Sequence, residues 1–476
     1  METGNFLEMR VFNKVNETNL ERITIIGLFG RYNIDIPFNK QVNIFIGENG
    51  LGKTTILNCI YFVLEKKFSR LANMQFSEIK IKFKKEKQIY TITLEDIREY
   101  NKVKDGNSYR YIMGQDMYIN ETIERIMGRY QYEDYDLDMK LNMEQIAFEL
   151  ARRLDFPLSM ARNQVMRYIT DRRIEYKSNR RGNRNNVEEL GKAISRNVSH
   201  RIIYLPTYRR IEDDFTSLNI RSEEFNKTEQ LIRFGMSDVQ NSIERILDNI
   251  RSLAMQGFTS MTGILLKQYI DGENPLVEMQ KSKQKSWDTD TVKIVLDRMG
   301  KEIASPYKKK IYELVENGDI QKKEYLYLWN LISKLIDNYG TQRAYDDRIK
   351  KFIATCNKYL IDKHFDYNQS MLYLNIFLDK DSTNKKEEIQ LTQLSSGEKQ
   401  IVSLFSNLYL ESDKRSIVII DEPELSLSLE WQKMLLPDIM RTGNCDLLLT
   451  VTHSPFIFEN EFDLDAKEIR RYIKKT

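Results

Sequence analysis

The chain predicts an α/β fold, a mixed sheet with flanking helices assembled from both chain ends, with a large inserted helical domain. Three observations lead there. The glycine-rich run GENGLGKTT, residues 47–55, lies between an apolar strand candidate, Val42–Ile46, and a helix candidate, Thr54–Leu64. Near the other end SIVIID, residues 416–421, reads as a continuous apolar strand closed by a carboxylate. Between them the strand pattern fades and helical spacing takes over.

Residues 7–46 read as four short strands, LEMRVFNKV, RITIIGLF, YNIDIPF and VNIFIGE. SEIKIKFKKEKQIYTITLED, residues 77–96, reads as a hairpin with a charged turn. Residues 99–199 turn helical, as in MEQIAFELARRL. RIIYLPTYRR, residues 201–210, is a buried strand ending at Pro206. From Phe234 a long amphipathic helix opens, with Val239, Ile243, Ile246, Leu247, Ile250 and Leu253 at helical spacing and Ser237 as its N-cap. YLYLWNLISKLIDNY, residues 325–339, is another helix. Heptads are not sustained, so a compact helical insertion is predicted rather than an extended coiled coil. MLYLNIFL (371–378), SIVIID (416–421) and DLLLTVTH (446–453) return to strands. The pattern divides the chain into a head built from 1–98 and 369–476, a return strand within 200–234, and helical insertions at 99–199 and 235–368.

A chain of 476 residues exceeds one ordinary core, so two or three sub-domains are expected. Hydrophobic content of 41% with 30% charged residues fits a soluble globular protein. No apolar run approaches the ~20 residues of a membrane span, and the N-terminus lacks a signal-peptide core. Cys59, Cys356 and Cys445 show neither metal nor disulfide spacing, which suits the reducing cytoplasm. Lys and Arg total 73 against 70 acidic residues, so net charge makes no case for nucleic acid. One segment differs. RRIEYKSNRRGNR, residues 172–184, is either a solvated loop or a contact for nucleic acid or an acidic partner.

GENGLGKTT is a complete phosphate-binding loop. Gly47, Gly50 and Gly52 let the backbone turn tightly, so that N–H groups from Gly47 through Glu48, Asn49, Gly50, Leu51, Gly52, Lys53, Thr54 and Thr55 can face phosphate oxygens. Lys53 reaches the β- and γ-phosphates, and the Thr54 hydroxyl takes a Mg²⁺ position. Asp421 would bind Mg²⁺, directly or through water, from the end of its strand, and Glu422 would polarise the attacking water. The two ends of the chain must therefore meet. In LTQLSSGEKQ, residues 391–400, Ser395, Ser396 and Gly397 precede a helix candidate from Glu398 to Leu410. They form an anion site or a plain Ser cap with Glu398 in a capping box. His453 follows a buried strand within THSPF, where a γ-phosphate sensor would stand; His200 and His364 read as structural. No Cys/His cluster or Asp-x-Asp pair suggests nuclease chemistry.

GENGLGKTT, LSSGEKQ, IVIIDEPELSLS and THS occur in the order of an ABC-type ATPase head of the AAA family. The chain resembles the branch that holds the overcoming-lysogenization-defect (OLD) nucleases and the RecF-like and structural-maintenance ATPases. The resemblance implies ATP and Mg²⁺ as ligands and two heads that sandwich two nucleotides. Ser395 and Gly397 would then act in trans on the nucleotide of another copy. Glu422 would be the catalytic base, His453 the switch histidine, and Leu425–Ser428 the turn crossing the interface. Arg31 and Tyr32, in GLFGRY, lie where that branch packs a loop near the adenine, and Gln75 is the candidate for its Q-loop glutamine. Ser396 replaces a glycine of the transporter signature, Glu398 replaces its glutamine, and the turn after Glu422 lacks the usual aspartate.

GLFGRY, IYLPTYRRIE, FGMSDVQ and THSPFIFENEFD further resemble stand-alone ATPases of bacterial anti-phage systems, first the AriA ATPases of PARIS and then the PtuA ATPases of Septu. This implies a cytoplasmic ATPase that forms a head-to-head dimer or larger ring, holds a separate nuclease and responds to a phage-encoded trigger protein. The nuclease would be Toprim-type (AriB-like), otherwise HNH-type. The chain ends 23 residues after His453 (476 − 453), which leaves no room for a fused Toprim domain and implies that the chain is not itself a nuclease. The alternative is a RecF-like or structural-maintenance DNA-repair ATPase, with DNA as partner. No membrane partner is expected.

Overall fold

The structure, a computed structural model, describes residues 18–48, 50–108, 122–123, 126, 139–154, 158, 160–166, 168, 186–206, 235–272, 287–299, 303–379, 387–411 and 414–475. The strand read at 7–15, Asn49, the basic segment 172–184 and residues 207–210 lie outside them.

In chain order the strands are β1 (Leu20–Leu28), β2 (Tyr32–Pro37), β3 (Val42–Ile46), β4 (Glu78–Phe83), β5 (Ile89–Thr93), β6 (Arg201–Leu205), β7 (Lys363–Asn368), β8 (Tyr373–Leu378), β9 (Glu387–Ile389), β10 (Ser416–Asp421), β11 (Cys445–Thr452), β12 (Ala466–Glu468) and β13 (Ile473–Lys475). The α-helices include α1 (Lys53–Leu64), α2 (Phe68–Leu71), α3 (Leu94–Ser108), α4 (Met139–Leu154), α5 (Asn186–Asn197), α6 (Met236–Ile270), α7 (Thr289–Arg298), α8 (Ser305–Glu316), α9 (Leu326–Cys356), α10 (Ser396–Tyr409) and α11 (Leu429–Arg441). The chain divides into two compact units, one of 40–57 and 200–469, the other of 18–39, 58–199 and 470–476.

In the first unit five parallel strands lie in the order β12-β3-β11-β10-β6. The two inner strands β10 and β11 are buried at every residue. That explains their continuous apolar runs, since a parallel sheet is covered on both faces. Ile44, Ile203, Val418, Ile420 and Leu448 pack with Ile401, Val402 and Phe405 of α10 and with Leu435, Leu436 and Ile439 of α11. Ligands of such sheets bind at the carboxyl ends of the strands. Here the ends of β3, β11 and β10 are neighbours, with Ile46 level with Thr452 and Asp421 level with Val451. A small antiparallel sheet, β7-β8-β9, precedes α10.

The middle of the chain holds a long helical arm. Helix α6 has 35 residues and α9 has 31, so they run roughly 52 and 46 Å. Val239, Ile243, Ile246 and Ile250 near the start of α6 share a core with Ile349, Phe352 and Cys356 near the end of α9. Met261 shares a separate core with Trp329, Ile332, Leu335 and Tyr339, together with Val292, Val295 and Leu296 of α7. The two helices are thus antiparallel. This corrects the helix read as ending at residue 339. The charged stretch TQRAYDDRIKK conceals the continuation, but Ile349, Phe352 and Cys356 hold the apolar face. It also corrects the cap, because Gly235 stands at the N-cap and Ser237 is inside the helix. Asp238 Oδ2 accepts from the Gly235 N–H at 3.4 Å.

The second unit contains an antiparallel sheet in the order β13-β2-β1-β4-β5. Its strands alternate buried and part-exposed residues, most cleanly in β4. Helix α3 starts directly at the end of β5, where Thr93 and Asp96 exchange side-chain-to-backbone hydrogen bonds of 2.9 and 3.1 Å. Val187, Leu190, Ala193 and Ile194 form the buried face of α5. Ile146, Ala147 and Leu150 of α4 pack with Ile123, Ile126, Ala161 and Val165. Among the described residues of the whole chain, no helix is long and apolar enough to cross a membrane.

A buried ion pair ties the arm together. Arg298 Nη2 donates to both carboxylate oxygens of Asp346 at 2.8 Å, and its Nη1 donates to Gln342 at 2.6 Å. Asp346 is fully buried. Removing one member of such a pair leaves an uncompensated charge and costs about 3–5 kcal/mol. Asp346→Ala is therefore expected to lower unfolding free energy by about that amount in urea titrations, whereas Asp248→Ala, which removes the exposed partner of Arg251, changes it by less than about 1 kcal/mol.

Candidate nucleotide site

The site starts where β3 ends. The chain turns through Gly50 and Gly52, at φ 86° and 74°, before α1 begins at Lys53. Side chains resist that backbone region, so glycine is needed at both positions. The first amides of α1 have no acceptor within the helix and face the loop they close. Gly47, Glu48, Leu51, Thr54 and Thr55 surround the same turn, with Leu51, Thr54 and Thr55 partly exposed.

Lys53 is 6% exposed. Its Nζ donates to the Glu48 carbonyl at 2.8 Å and to His453 Nε2 at 2.6 Å. Accepting that bond requires a neutral imidazole with its proton on Nδ1. Burial lowers the Lys53 ammonium below its ordinary value, and the negative charges of Glu422, Asp421 and Glu424 partly restore it.

From the far end of the chain, Asp421 is fully buried at the tip of β10. Its Oδ2 accepts from Thr54 Oγ1 at 2.7 Å. Two oxygens on adjacent corners of a Mg²⁺ octahedron, each about 2.0–2.1 Å from the ion, lie roughly 2.9 Å apart. The pair thus offers two hard oxygen donors close enough together that one Mg²⁺ ion could be held by both. Glu422 follows with φ 49°, and its N–H donates to Val451 O at 2.9 Å. This turns its half-buried carboxylate to within 3.9 Å of His453 Nε2. Lys53, His453 and Glu422 thus stand in a row, because β3, β11 and β10 are consecutive strands.

Two residues escaped the sequence reading. Glu424 accepts from the backbone N–H groups of His453 and Ser454, and Gln432 on α11 accepts from Ser454 Oγ. The signal available was the third carboxylate in DEPE. A proline separates it from Glu422, and nothing local links it to residue 453.

The serine segment forms a capping box. Ser395 N–H donates to Glu398 Oε2 at 2.7 Å, and Ser395 Oγ accepts from Glu398 N–H at 3.4 Å. Glu398 also takes two 2.9 Å bonds from Lys363 on β7. Ser395 and Ser396 are exposed, whereas Gly397 is buried. A Cβ on Gly397 would stand 2.4 Å from the Ser426 carbonyl and 3.2 Å from the Trp431 ring. The glycine is therefore needed where α10 touches the turn after Glu422 within the same chain. Ser426 itself has φ 61°.

Arg31 and Tyr32 belong to the second unit, at the turn between β1 and β2. Arg31 is exposed, and its N–H donates to Leu28 O at 3.1 Å. Gln75, in the same unit, accepts from Phe29 N–H at 2.9 Å through its backbone carbonyl. His200 is bonded to Asp446 at 2.8 Å and His364 to Asp379 at 2.7 Å, in keeping with structural roles.

A glycine-rich turn with a buried lysine, a hydroxyl–carboxylate pair and a carboxylate beside an imidazole can hold a polyphosphate and activate water against it. A family model described as "AAA ATPase domain" matches residues 20–458. A curated relative, "Retron Ec83 probable ATPase" from Escherichia coli, is 21% identical over 449 residues. The match takes in 89% of this chain, which spans 66% of that protein's length. Among solved structures, the Smc head domain of Pyrococcus furiosus, with an extended coiled coil and bound to the C-terminal domain of ScpA, matches at 13% identity and a TM-score of 0.34. That match covers 92% of this chain and 91% of that one. The Smc head domain of Pyrococcus yayanosii, with a coiled coil and joint, matches at 14% identity and 0.31, covering 92% and 93%.

Glu398 gives a pH-dependent expectation. Burial alone would raise its carboxyl, but the hydrogen bonds from Lys363 and Ser395 outweigh burial and hold it below the usual value. Such a group stabilises the fold above its unfolded value, about 4.3, and the benefit is lost as pH falls through the folded value. The stability gap between the native chain and Glu398→Gln is therefore expected to be larger at about pH 7 than at about pH 3 in urea titrations. A gap that is constant or grows on acidification contradicts this.

Proposed function

The chain belongs to the AAA ATPase domain family, and from that premise we propose that it binds and hydrolyses ATP as the sensor and scaffold subunit of an anti-phage system, in which two or more copies hold a separate nuclease. The observation that carries the catalytic part is the 2.7 Å bond between Thr54 and Asp421. It brings the two halves of a phosphate and Mg²⁺ site together from opposite ends of the sequence.

In this reading the amides of Gly50–Thr55 and the Lys53 ammonium bind the β- and γ-phosphates. Thr54 and Asp421 would hold Mg²⁺, which when bound neutralises phosphate charge. Glu422 accepts a proton from water as its oxygen attacks the γ-phosphorus, and the bond to the bridging oxygen breaks to leave ADP and phosphate. His453 stands beside both Lys53 and Glu422, where it can report the γ-phosphate. The exposed Ser395 supports assigning Ser395 and Gly397 to a contact with the nucleotide of a second copy, so the working unit is a head-to-head dimer or a larger ring.

The Escherichia coli relative is named as the probable ATPase of a retron, which supports reading this chain as one component of a multi-part system. A nuclease effector, Toprim-type before HNH-type, and a phage-encoded trigger complete the proposal. The chain itself supplies the switch rather than the cutting.

Two variants test it. Lys53→Ala is expected to weaken ATP binding by about 100-fold or more, since it removes the cation that meets the phosphates. Glu422→Gln is expected to keep binding but lower turnover by about 100- to 10,000-fold, the range of a general base, and to accumulate an ATP-bound dimer by light scattering. For the partner, co-expression with the product of the neighbouring gene is expected to yield a stoichiometric complex with a nuclease. Turnover that survives both substitutions, or hydrolysis stimulated by DNA with no nuclease retained, would favour the DNA-repair reading instead.

A further inference from the structure

We infer that Glu424 is a positioning residue that aims His453 at the phosphate site, an inference that rests on the hydrolytic role proposed above. One carboxylate here spans three donors of the turn that follows β11. Glu424 Oε1 accepts from the N–H of His453 at 2.8 Å and of Ser454 at 3.2 Å, and Oε2 accepts from Thr452 Oγ1 at 2.8 Å. Hydrogen bonds to an ionised acceptor are roughly twice as strong as neutral ones. Two of these three come from backbone amides, those of His453 itself and of Ser454, and the third from the Thr452 hydroxyl just before, so the ring is fixed through its own main chain.

The turn is held from the other side as well. Gln432 is 7% exposed on α11. Its Oε1 accepts from Ser454 Oγ at 2.6 Å, and its Nε2 donates to Leu427 O at 3.0 Å and Glu424 O at 3.5 Å. The Ser454 hydroxyl and the Glu424 main chain thus hang on one buried amide. The result is a frame in which Nε2 of His453 lies 2.6 Å from Lys53 Nζ and 3.9 Å from Glu422 Oε1.

The geometry separates Glu424 from Glu422, two residues earlier. Glu422 presents its carboxylate to the imidazole, whereas Glu424 spends both oxygens on the turn that carries it. Glu424 touches neither Lys53 nor the Thr54–Asp421 pair through any of these bonds, and its charge acts on Lys53 only as the smallest of three carboxylate contributions, after Glu422 and Asp421. Losing it should therefore leave nucleotide binding nearly intact and impair the step that needs His453 in place. Outer residues that orient a site typically contribute about 10–100-fold.

The test uses the full chain. Glu424→Ala is expected to lower kcat about 10–100-fold while the Kd for a non-hydrolysable ATP analogue changes less than about threefold. Glu424→Gln, which keeps reach and one acceptor oxygen, is expected to recover most of kcat. Glu424→Asp keeps the charge but falls one methylene short, and is expected to behave like Ala. Combining Glu424→Ala with His453→Ala is expected to be no worse than His453→Ala alone, the non-additivity of two groups acting as one. Additive losses, or an active Glu424→Asp, overturn the inference. If His453→Ala itself keeps full turnover, the hydrolytic role of His453 fails instead, and the two failures are thereby distinguished. A readout independent of turnover is at hand, because the chain has only three histidines. The imidazole resonance of His453, assigned by its loss in His453→Gln, is expected to stay sharp in Glu424→Gln and to broaden or move toward the solvent-exposed position in Glu424→Ala. An unchanged resonance in Glu424→Ala overturns the inference, even in a chain that turns over slowly or folds with reduced stability.

Discussion

The hydrogen bond between Thr54 and Asp421 is the constraint on which the rest of the first unit depends. The residues are 367 positions apart, and everything between them must leave and return so that β3 and β10 end side by side with only β11 between. Strands in a sheet are about 4.8 Å apart, so β3 and β10 lie roughly 10 Å apart at their tips. Side chains of ordinary length close that distance. The middle strand places His453 between them. The order β3-β11-β10 therefore dictates the row of lysine, imidazole and carboxylate, and no separate device is needed to bring the three together.

Electrostatics follows from the same placement. Burial lowers the Lys53 ammonium below its ordinary value, and three carboxylates, Glu422, Asp421 and Glu424, act in the opposite direction. A polyphosphate bound here would add anionic charge to a locus already rich in carboxylates, and Lys53, the loop amides and a divalent cation would together have to compensate it. The capping box at Ser395 uses the same logic on a smaller scale. The Glu398 carboxylate is kept charged in a buried place by Lys363 and the Ser395 amide, which fixes the first turn of α10 while leaving Ser395 and Ser396 facing solvent.

Much of this was legible in the sequence. The apolar runs Ile417–Ile420 and Leu447–Leu449 read as covered strands, which β10 and β11 are, and the glycine spacing from 47 to 52 announces the loop. The α/β class and the pairing of Lys53 and Thr54 with Asp421 and Glu422 follow from those runs. What stayed hidden has physical reasons. The last turns of α9 carry TQRAYDDRIKK, whose charges break the apolar pattern to the eye, while Ile349, Phe352 and Cys356 keep it in space. The cap of α6 went to Gly235, because a serine signal cannot reveal which backbone position leaves the helix. The need for glycine at 397 comes from a carbonyl 29 residues away (426 − 397). Glu424 binds a turn that is distant in sequence. Contacts of this kind exist only after the sheet has formed, so no local pattern encodes them.

The central claim is that Thr54 and Asp421 act together on one metal-bound nucleotide. Calorimetric titration of Mg²⁺-ATP analogue into the native chain, Thr54→Ala, Asp421→Asn and the double variant tests it most directly. Each single substitution should weaken Mg²⁺-dependent affinity about 10- to 100-fold, the scale of a lost charge-assisted contact. The double variant should be no weaker than the worse single, because the two oxygens serve one ion. Independent, multiplying losses, or an affinity indifferent to Mg²⁺ in the native chain, would contradict the account.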